Sequence, residues 1–345
     1  MAWCRRRRPR TWHNWSRSCA TGNPPRRDGH CVKVAIILFN LGGPDSLESV
    51  QPFLRNLFGD PAILRLPTLI RSPLARFLSS SRTAKARAIY AKIGGSSPIL
   101  GQTEAQARAL EEALGKDDDQ GHEWRGYVCM RYWHPMTEAV VRSVERFAPD
   151  RIVLLPLYPQ FSTTTTASSF KEWNDTAHFR VPTKTIDSYP TEPGFIAASI
   201  ELLKQGVADA GAGARRVLFS AHGLPERVIK AGDPYQAQVE QTAKAIAEGL
   251  GEIDWSICYQ SRVGPLKWIG PSTDAEVRRA GADKVGVVVY PLAFVSEHSE
   301  TLVELDIDYR HLAKEVGIPT YIRVPTVGTH PLFIAGLARL VRDAL

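Results

Sequence analysis

Val285-Gly-Val-Val-Val-Tyr-Pro-Leu-Ala-Phe294 runs directly into Val295-Ser-Glu-His-Ser-Glu-Thr-Leu-Val-Glu-Leu-Asp-Ile-Asp308, so that a short apolar segment turns abruptly acidic. The first half is short, β-branched and closed by Pro291, the pattern of a strand buried on both faces in a parallel sheet. The second half reads as the start of a helix, with Ser296 as its N-cap and acidic residues in the first turn. Glu297, Glu300, Glu304 and Asp308 recur three or four residues apart, which lines four carboxylates along one helical face. With no lysine or arginine between them, such a face repels itself unless a cation or proton traffic compensates. An acidic run is ordinarily a solvated surface. Here it follows the C-terminal end of a strand, where open α/β sheets gather their ligands, and His298 lies within it. A histidine among carboxylates at that place suits divalent-metal binding, proton acceptance, or both.

Outward from this stretch, strands and helices alternate. Strands are expected at 34–39, 126–130, 151–157, 183–187, 216–220, 255–259 and 320–324, and helices at about 102–114, 136–147, 192–205, 235–250 and 331–345. Such repetition predicts an α/β protein with parallel sheets and right-handed crossovers, most economically two doubly wound halves with a cleft between them. The first half is assigned to 32–155, with the C-terminal helix 326–345 packing back on it, and the second to 156–325. The Asn40-Leu-Gly-Gly-Pro44 turn after the first strand matches neither the G-x-G-x-x-G nor the G-x-x-x-x-G-K-[ST] pattern, which argues against nucleotide binding.

Composition narrows the class further. The chain has 345 residues, 43% of them hydrophobic and 23% charged, as in an ordinary globular protein. Its net charge of +7 lies in the first thirty residues, which hold Arg5, Arg6, Arg7, Arg8, Arg10, Arg17, Arg26 and Arg27 against Asp28; the remainder balances to zero. The basicity therefore belongs to a tail, and nucleic acid is not expected as a partner. Residues 1–31 are expected to be a disordered extension, with a transit peptide or an over-extended start as alternatives. The five cysteines, Cys4, Cys19, Cys31, Cys129 and Cys258, form no Cys-x-x-Cys pair and suit a reducing compartment. No apolar run is long enough to cross a bilayer. Segment 61–78 is apolar, basic and broken by prolines, and it reads equally as a lid over a groove or as a patch that docks on a membrane surface.

Several strand ends carry conspicuous side chains: Arg131, Tyr132 and His134 after one, His222 after another, Trp268 after a third, His298 and Glu300 after a fourth. In order along the chain, Leu41-Gly-Gly-Pro44, Tyr90-x-x-Ile-Gly-Gly-x-Ser-Pro98, Arg131-Tyr132, Ser220-Ala-His-Gly-Leu-Pro225, Tyr259-Gln-Ser-Arg-Val-Gly-Pro-x-x-Trp268 and the stretch quoted first resemble the ferrochelatase family from about Val34 to the end. The resemblance implies a chelatase fold of two Rossmann-like domains, protoporphyrin IX and Fe²⁺ as substrates, and protohaem and two protons as products. It assigns His222 and Glu300 to proton acceptance or iron handling, with His298 orienting or buffering Glu300. It makes Glu297, Glu304 and Asp308 a trail for protons or metal, on a helix with a π-type segment. Leu41, Tyr132 and Trp268 become porphyrin walls, Arg82 and Ser97 propionate ligands, and Arg131 a residue that positions the macrocycle. The sequence ends at Leu345 in a cysteine-free helix, so no [2Fe–2S] cluster and no tightly bound cofactor are expected, and a monomer is. The expected location is the bacterial cytoplasm, loosely at the inner membrane, with the mitochondrial matrix as the alternative that the tail would fit.

Overall fold

A computed structural model describes residues 31–345, except 117, 119, 120, 214, 263 and 265. The expectation for the arginine-rich tail therefore falls outside the described residues, apart from Cys31. Two four-stranded sheets carry the fold. The first is built from β1 (Lys33–Asn40), β2 (Glu123–Met130), β3 (Arg151–Pro156) and β4 (Thr183–Thr185) in the order β2-β1-β3-β4. The second comes from β5 (Arg215–His222), β6 (Asp254–Gln260), β7 (Gly286–Pro291) and β8 (Tyr321–Arg323) in the order β6-β5-β7-β8. Every pairing is parallel, and the second sheet repeats the strand order of the first. This is the doubly wound pair that the alternation predicts.

The central strands explain why the apolar runs are continuous rather than alternating. β1 is buried from Val34 to Asn40 and β7 over its whole length, because helices cover both faces of each sheet. On one face of the first sheet, Val34, Ile36 and Leu38 pack with Leu110 and Leu114 of α3 (Ile99–Lys116), Phe195 and Ala198 of α6 (Pro193–Asp209), and Phe333 and Leu337 of α11 (Pro331–Asp343). On the other, Ile37 and Phe39 meet Val140 and Val144 of α4 (Thr137–Phe147) and Trp173 of α5 (Thr166–Thr176). In the second sheet, Val217, Phe219 and Tyr290 face α8 (Tyr235–Leu250), while Leu218, Val287 and Val289 face α9 (Thr273–Ala282) and α10 (Tyr309–Glu315). Each such side chain contributes about 1.5–3 kcal/mol by leaving water.

Where the halves divide differs from the expected 155/156 boundary. Ile152, Val153 and Leu154 pair with Thr183, Lys184 and Thr185, so β4 closes the first sheet and the second begins only at β5. Between them, α6 serves both: Phe195 and Ala198 enter the first core and Leu203 the second. Helix α11 packs back against α3 and α6, and its approach requires Gly336, where a Cβ would stand 2.2 Å from Glu192 Oε2.

The halves are also stitched above the sheets. Gln106 of α3 donates from Nε2 to the Val295 and Gly328 carbonyls at 2.8 and 2.9 Å, accepts from Ser296 Oγ at 2.9 Å, and its neighbour Gln102 accepts from Glu297 N at 2.6 Å. Ser296 is thus spent on α3 and is not a helix cap. The acidic stretch becomes helical only at Glu300, as a π-helix over Glu300–Asp308 that runs on into α10.

In the first half, α1 (Val50–Gly59) packs against α2 (Thr68–Ala91). Of the prolines expected to break 61–78, Pro67 marks the start of the helix and Pro73 does not break it. Pro61 and Pro67 precede α2, and Pro73 lies within it on the exposed side, where the carbonyl it leaves unbonded belongs to Leu69, 91% exposed. Among the described residues, no helix is long and apolar enough to cross a membrane.

Candidate active site

Strand β5 ends at His222, β6 is followed by Ser261, and β7 leads to the π-helix, so three adjacent C-terminal ends of one sheet bring His222, Ser261 and Glu300 together. His222 Nδ1 lies 2.8 Å from Glu300 Oε2. The His222 side chain is 38% exposed and that of Glu300 25%, so the pair is sheltered but accessible. Ser261 Oγ reaches Glu300 Oε2 at 2.9 Å and Glu304 Oε2 at 2.5 Å, and Ser261 N donates to Glu304 Oε1 at 2.8 Å. Gln260 adds an Nε2 bond to the Glu300 carbonyl at 3.2 Å, and its own Oε1 is held by Ser220 Oγ at 2.8 Å.

This arrangement moves the acid–base properties apart. Desolvation works against the charge on Glu300, yet the adjoining His222, then His298 and the Ser261 hydroxyl, outweigh it and pull the carboxyl down to about 2. His222 likewise loses solvation, but the Glu300 charge and hydrogen bond, with the field of Glu304, leave its pKa raised above the usual 6.5. Burial and the neighbouring Glu300 push Glu304 up. Burial lowers His298, which is 8% exposed. The result is one charged carboxylate, one histidine that holds its proton more tightly than usual, and one carboxyl that protonates more readily than usual.

The other predicted residues are distributed less simply. His298 shares no hydrogen bond with Glu300; its Nδ1 faces the Ser296 carbonyl at 3.2 Å and its ring packs on Phe294, 4.6 Å between centroids. Orientation of Glu300 falls to His222 and Ser261 instead. Glu297 stands before the π-helix and faces away from the row, because Arg323 Nη1 at 2.6 Å and Thr326 N at 3.0 Å take its Oε1. Asp308 is exposed and pairs with Lys92 Nζ at 2.8 Å. The four carboxylates are therefore not one face without cations: Arg323 and Lys92 arrive from elsewhere in the fold, and only Glu300 and Glu304 converge.

Tyr132 does not form an open wall. It is 1% exposed, since its hydroxyl finds Asp60 Oδ2 at 2.7 Å and its ring packs with Val50, Phe53 and Tyr90. Leu41 is half-buried at the edge of that cluster and accepts from Tyr132 N at 3.0 Å. The cluster reaches the site through Tyr90, whose hydroxyl accepts from Ser299 Oγ at 3.4 Å. Gly43 makes room for Ser97, whose Cβ and Oγ would stand 2.6 Å from a Cβ there. Arg82, on α2, lies over the Phe58 ring at 5.4 Å; among the described residues it shares no hydrogen bond with Ser97. Half-buried Trp268 bridges to Pro225 and packs beside Gly223, next to His222. Its indole Nε1 is buried without a partner among the described residues.

Ser261 and Gln260 are the residues that sequence reasoning missed. Both stand in the Tyr259–Trp268 motif, but their role depends on Ser261 adopting a left-handed φ of +61°, which aims hydroxyl and amide at two carboxylates at once.

Among the described residues, no three His, Cys, Asp or Glu side chains converge to enclose a metal ion.

Solved structures that share this fold include chelatases. The chain superposes on SirB from Bacillus subtilis with Fe³⁺ at a TM-score of 0.51 and 12% identity, covering 91% of this chain and 95% of that one. It superposes equally on the sirohydrochlorin chelatase SirB from Bacillus subtilis subspecies spizizenii in complex with cobalt, at 0.51 and 13% identity over the same shares. The fold is therefore the chelatase fold. Sequence narrows the class. The family model for ferrochelatase matches residues 33–345. The ferrochelatase of Caulobacter vibrioides is 57% identical over 315 residues, 91% of this chain and 90% of the relative, and that of Phenylobacterium zucineum is 54% identical over 316 residues, 91% and 92%. The chain belongs to the ferrochelatase family.

Proposed function

We propose that the chain inserts Fe²⁺ into protoporphyrin IX, releasing two protons and forming protohaem, with His222 and Glu300 at the reacting centre. The observation that carries this reading is the 2.8 Å contact between His222 Nδ1 and Glu300 Oε2 at the strand ends. A carboxylate held charged fixes the imidazole with its proton on Nδ1, which leaves the Nε2 lone pair free. That lone pair takes a pyrrole proton or hands on iron. Glu304, which protonates more readily than an ordinary carboxylate, adjoins Glu300 through the Ser261 hydroxyl and offers the proton a next acceptor. Trp268 and Leu41 supply apolar surface for a flat macrocycle, Arg82 and Ser97 donors for its propionates, and Arg131 its placement. The reaction is proposed to run without a tightly bound cofactor and without a [2Fe–2S] cluster.

The test is anaerobic incubation with protoporphyrin IX and Fe²⁺, with Zn²⁺ in parallel, following free-base bands as they give way to metalloporphyrin bands. Turnover beyond one equivalent supports the enzyme; stoichiometric porphyrin binding without insertion points to a carrier.

The bacterial relatives and the outer face of α2 support a cytoplasmic enzyme that docks on the inner membrane. Leu69, Ile70 and Phe77 are 91%, 56% and 68% exposed, and Arg65 and Arg76 flank them. Apolar side chains beside arginines suit an anionic bilayer surface. The body is proposed to act as a monomer.

A further inference from the structure

At the end of β2 the backbone sets Arg131 beside Tyr132, and both side chains turn to one buried acid. Asp60 is 4% exposed, and its Oδ2 accepts from the Tyr132 hydroxyl at 2.7 Å and from Arg131 Nη2 at 2.9 Å. Ser168 Oγ donates to the same oxygen while accepting from Arg131 Nε at 2.8 Å. The Nε–Nη2 edge of the guanidinium is thereby fixed by an acid and a hydroxyl that are themselves bonded to each other. The opposite edge is held loosely, with Nη1 3.6 Å from Glu172 Oε2.

Asp60 also belongs to the root of α2. Its Oδ1 accepts from Ala62 N at 2.7 Å, and its carbonyl accepts from Ile63 N and Leu64 N at 3.1 and 2.9 Å, opening the turn that leads into that helix. One side chain therefore connects the helix carrying Arg82 to the arginine at the strand end. An arginine has enough torsional freedom to sample many orientations, and a network of this kind removes most of them before a ligand arrives.

We propose that Asp60 is a positioning residue for porphyrin: with Ser168 it holds the Arg131 guanidinium in the plane in which Arg131 meets the macrocycle. Asp60 acts through Arg131 and not on the reacting atoms. The inference rests on the reading of Arg131 as a porphyrin-side residue, and its test separates the two.

Full-length D60N, S168A, R131A and the D60N/R131A double variant are compared for porphyrin KM, Fe²⁺ KM, kcat and Tm. D60N and S168A raise the porphyrin KM about tenfold and leave the Fe²⁺ KM within about twofold, and D60N adds nothing once Arg131 is gone. Folded D60N with an unchanged porphyrin KM overturns the proposal. So does a double variant whose loss is the product of the two single losses, since Asp60 would then act independently of Arg131. If D60N does not accumulate as folded protein, S168A, which removes only a hydroxyl, decides the matter on the same readouts. An R131A enzyme with normal porphyrin KM overturns the reading of Arg131 itself, and the inference with it.

Discussion

His222 and Glu300 meet at 2.8 Å from opposite directions in the chain, one at the end of β5 and the other at the first residue of the π-helix. Neither partner is useful alone: the carboxylate sets the imidazole tautomer, and the imidazole keeps the carboxylate charged in a sheltered place. Removing either should cost metal insertion about 10²–10⁴-fold, the range for a lost acid–base group, in kcat rather than in porphyrin KM. His222→Ala and Glu300→Gln are the variants to assay. Near-normal turnover in either would remove that residue from the reacting centre.

The same contact has a pH signature. His222 is raised above its usual 6.5, so it sheds its proton later than a free histidine, and the acid limb of the rate profile should lie above that value. In Glu300→Gln the larger upward influence is gone, while desolvation and the field of Glu304 remain, so the limb of whatever rate survives should move to lower pH. Stability follows the linked signs. The Glu300 share is present above its ordinary 4.5 and is lost as pH falls through about 2. The His222 share is complete below 6.5 and is lost as pH rises through its raised value. The ion pair should therefore stabilise most between about 4.5 and 6.5, and the Tm difference between wild type and Glu300→Gln, measured across pH, should peak there.

Ser261 separates a backbone effect from a hydroxyl effect. At φ +61° an alanine keeps the strain and loses the hydroxyl, whereas glycine relieves the strain and loses it too. Ser261→Gly should be more stable than Ser261→Ala by about 1 kcal/mol, yet both should lose about tenfold or more in kcat, because Glu300 and Glu304 lose the group between them. Activity that tracks the Tm instead of the hydroxyl would assign Ser261 to the turn alone.

Most of the architecture was legible because parallel strands buried on both faces write uninterrupted apolar runs, as in β1 and β7. β4 was harder to place: its three residues are all exposed, and only pairing with Ile152–Leu154 ties it to the first sheet. Ser296 has the composition of a cap, but Gln106, far away in the chain, claims its hydroxyl. Glu297 looked like part of an unpaired acidic row because Arg323 is distant in sequence and near in space. Tyr132 reads as an aromatic wall until Asp60 draws its hydroxyl inward. In each case, local pattern was overridden by a partner that only tertiary structure supplies.

Helix α2 offers a last measurement that is independent of the chemistry. Leu69, Pro73 and Phe77 follow one another at four-residue intervals on its solvent side, and Ile70 widens the stripe. Apolar side chains of this size each gain about 1.5–3 kcal/mol on leaving water, so two of them suffice for a large change in partition. The double variant Leu69→Glu/Phe77→Glu should lose binding to vesicles of mixed zwitterionic and anionic lipid by about 10²-fold or more in a sedimentation assay, through both lost insertion and new repulsion. With detergent-solubilised porphyrin its turnover should stay within about twofold of wild type, since neither side chain approaches the His222–Glu300 contact in the described structure. Raising the salt concentration should weaken the wild-type interaction only in part, removing the arginine share and leaving the apolar share. Equal sedimentation of variant and wild type would instead make the stripe the outer surface of a lid that binds no membrane.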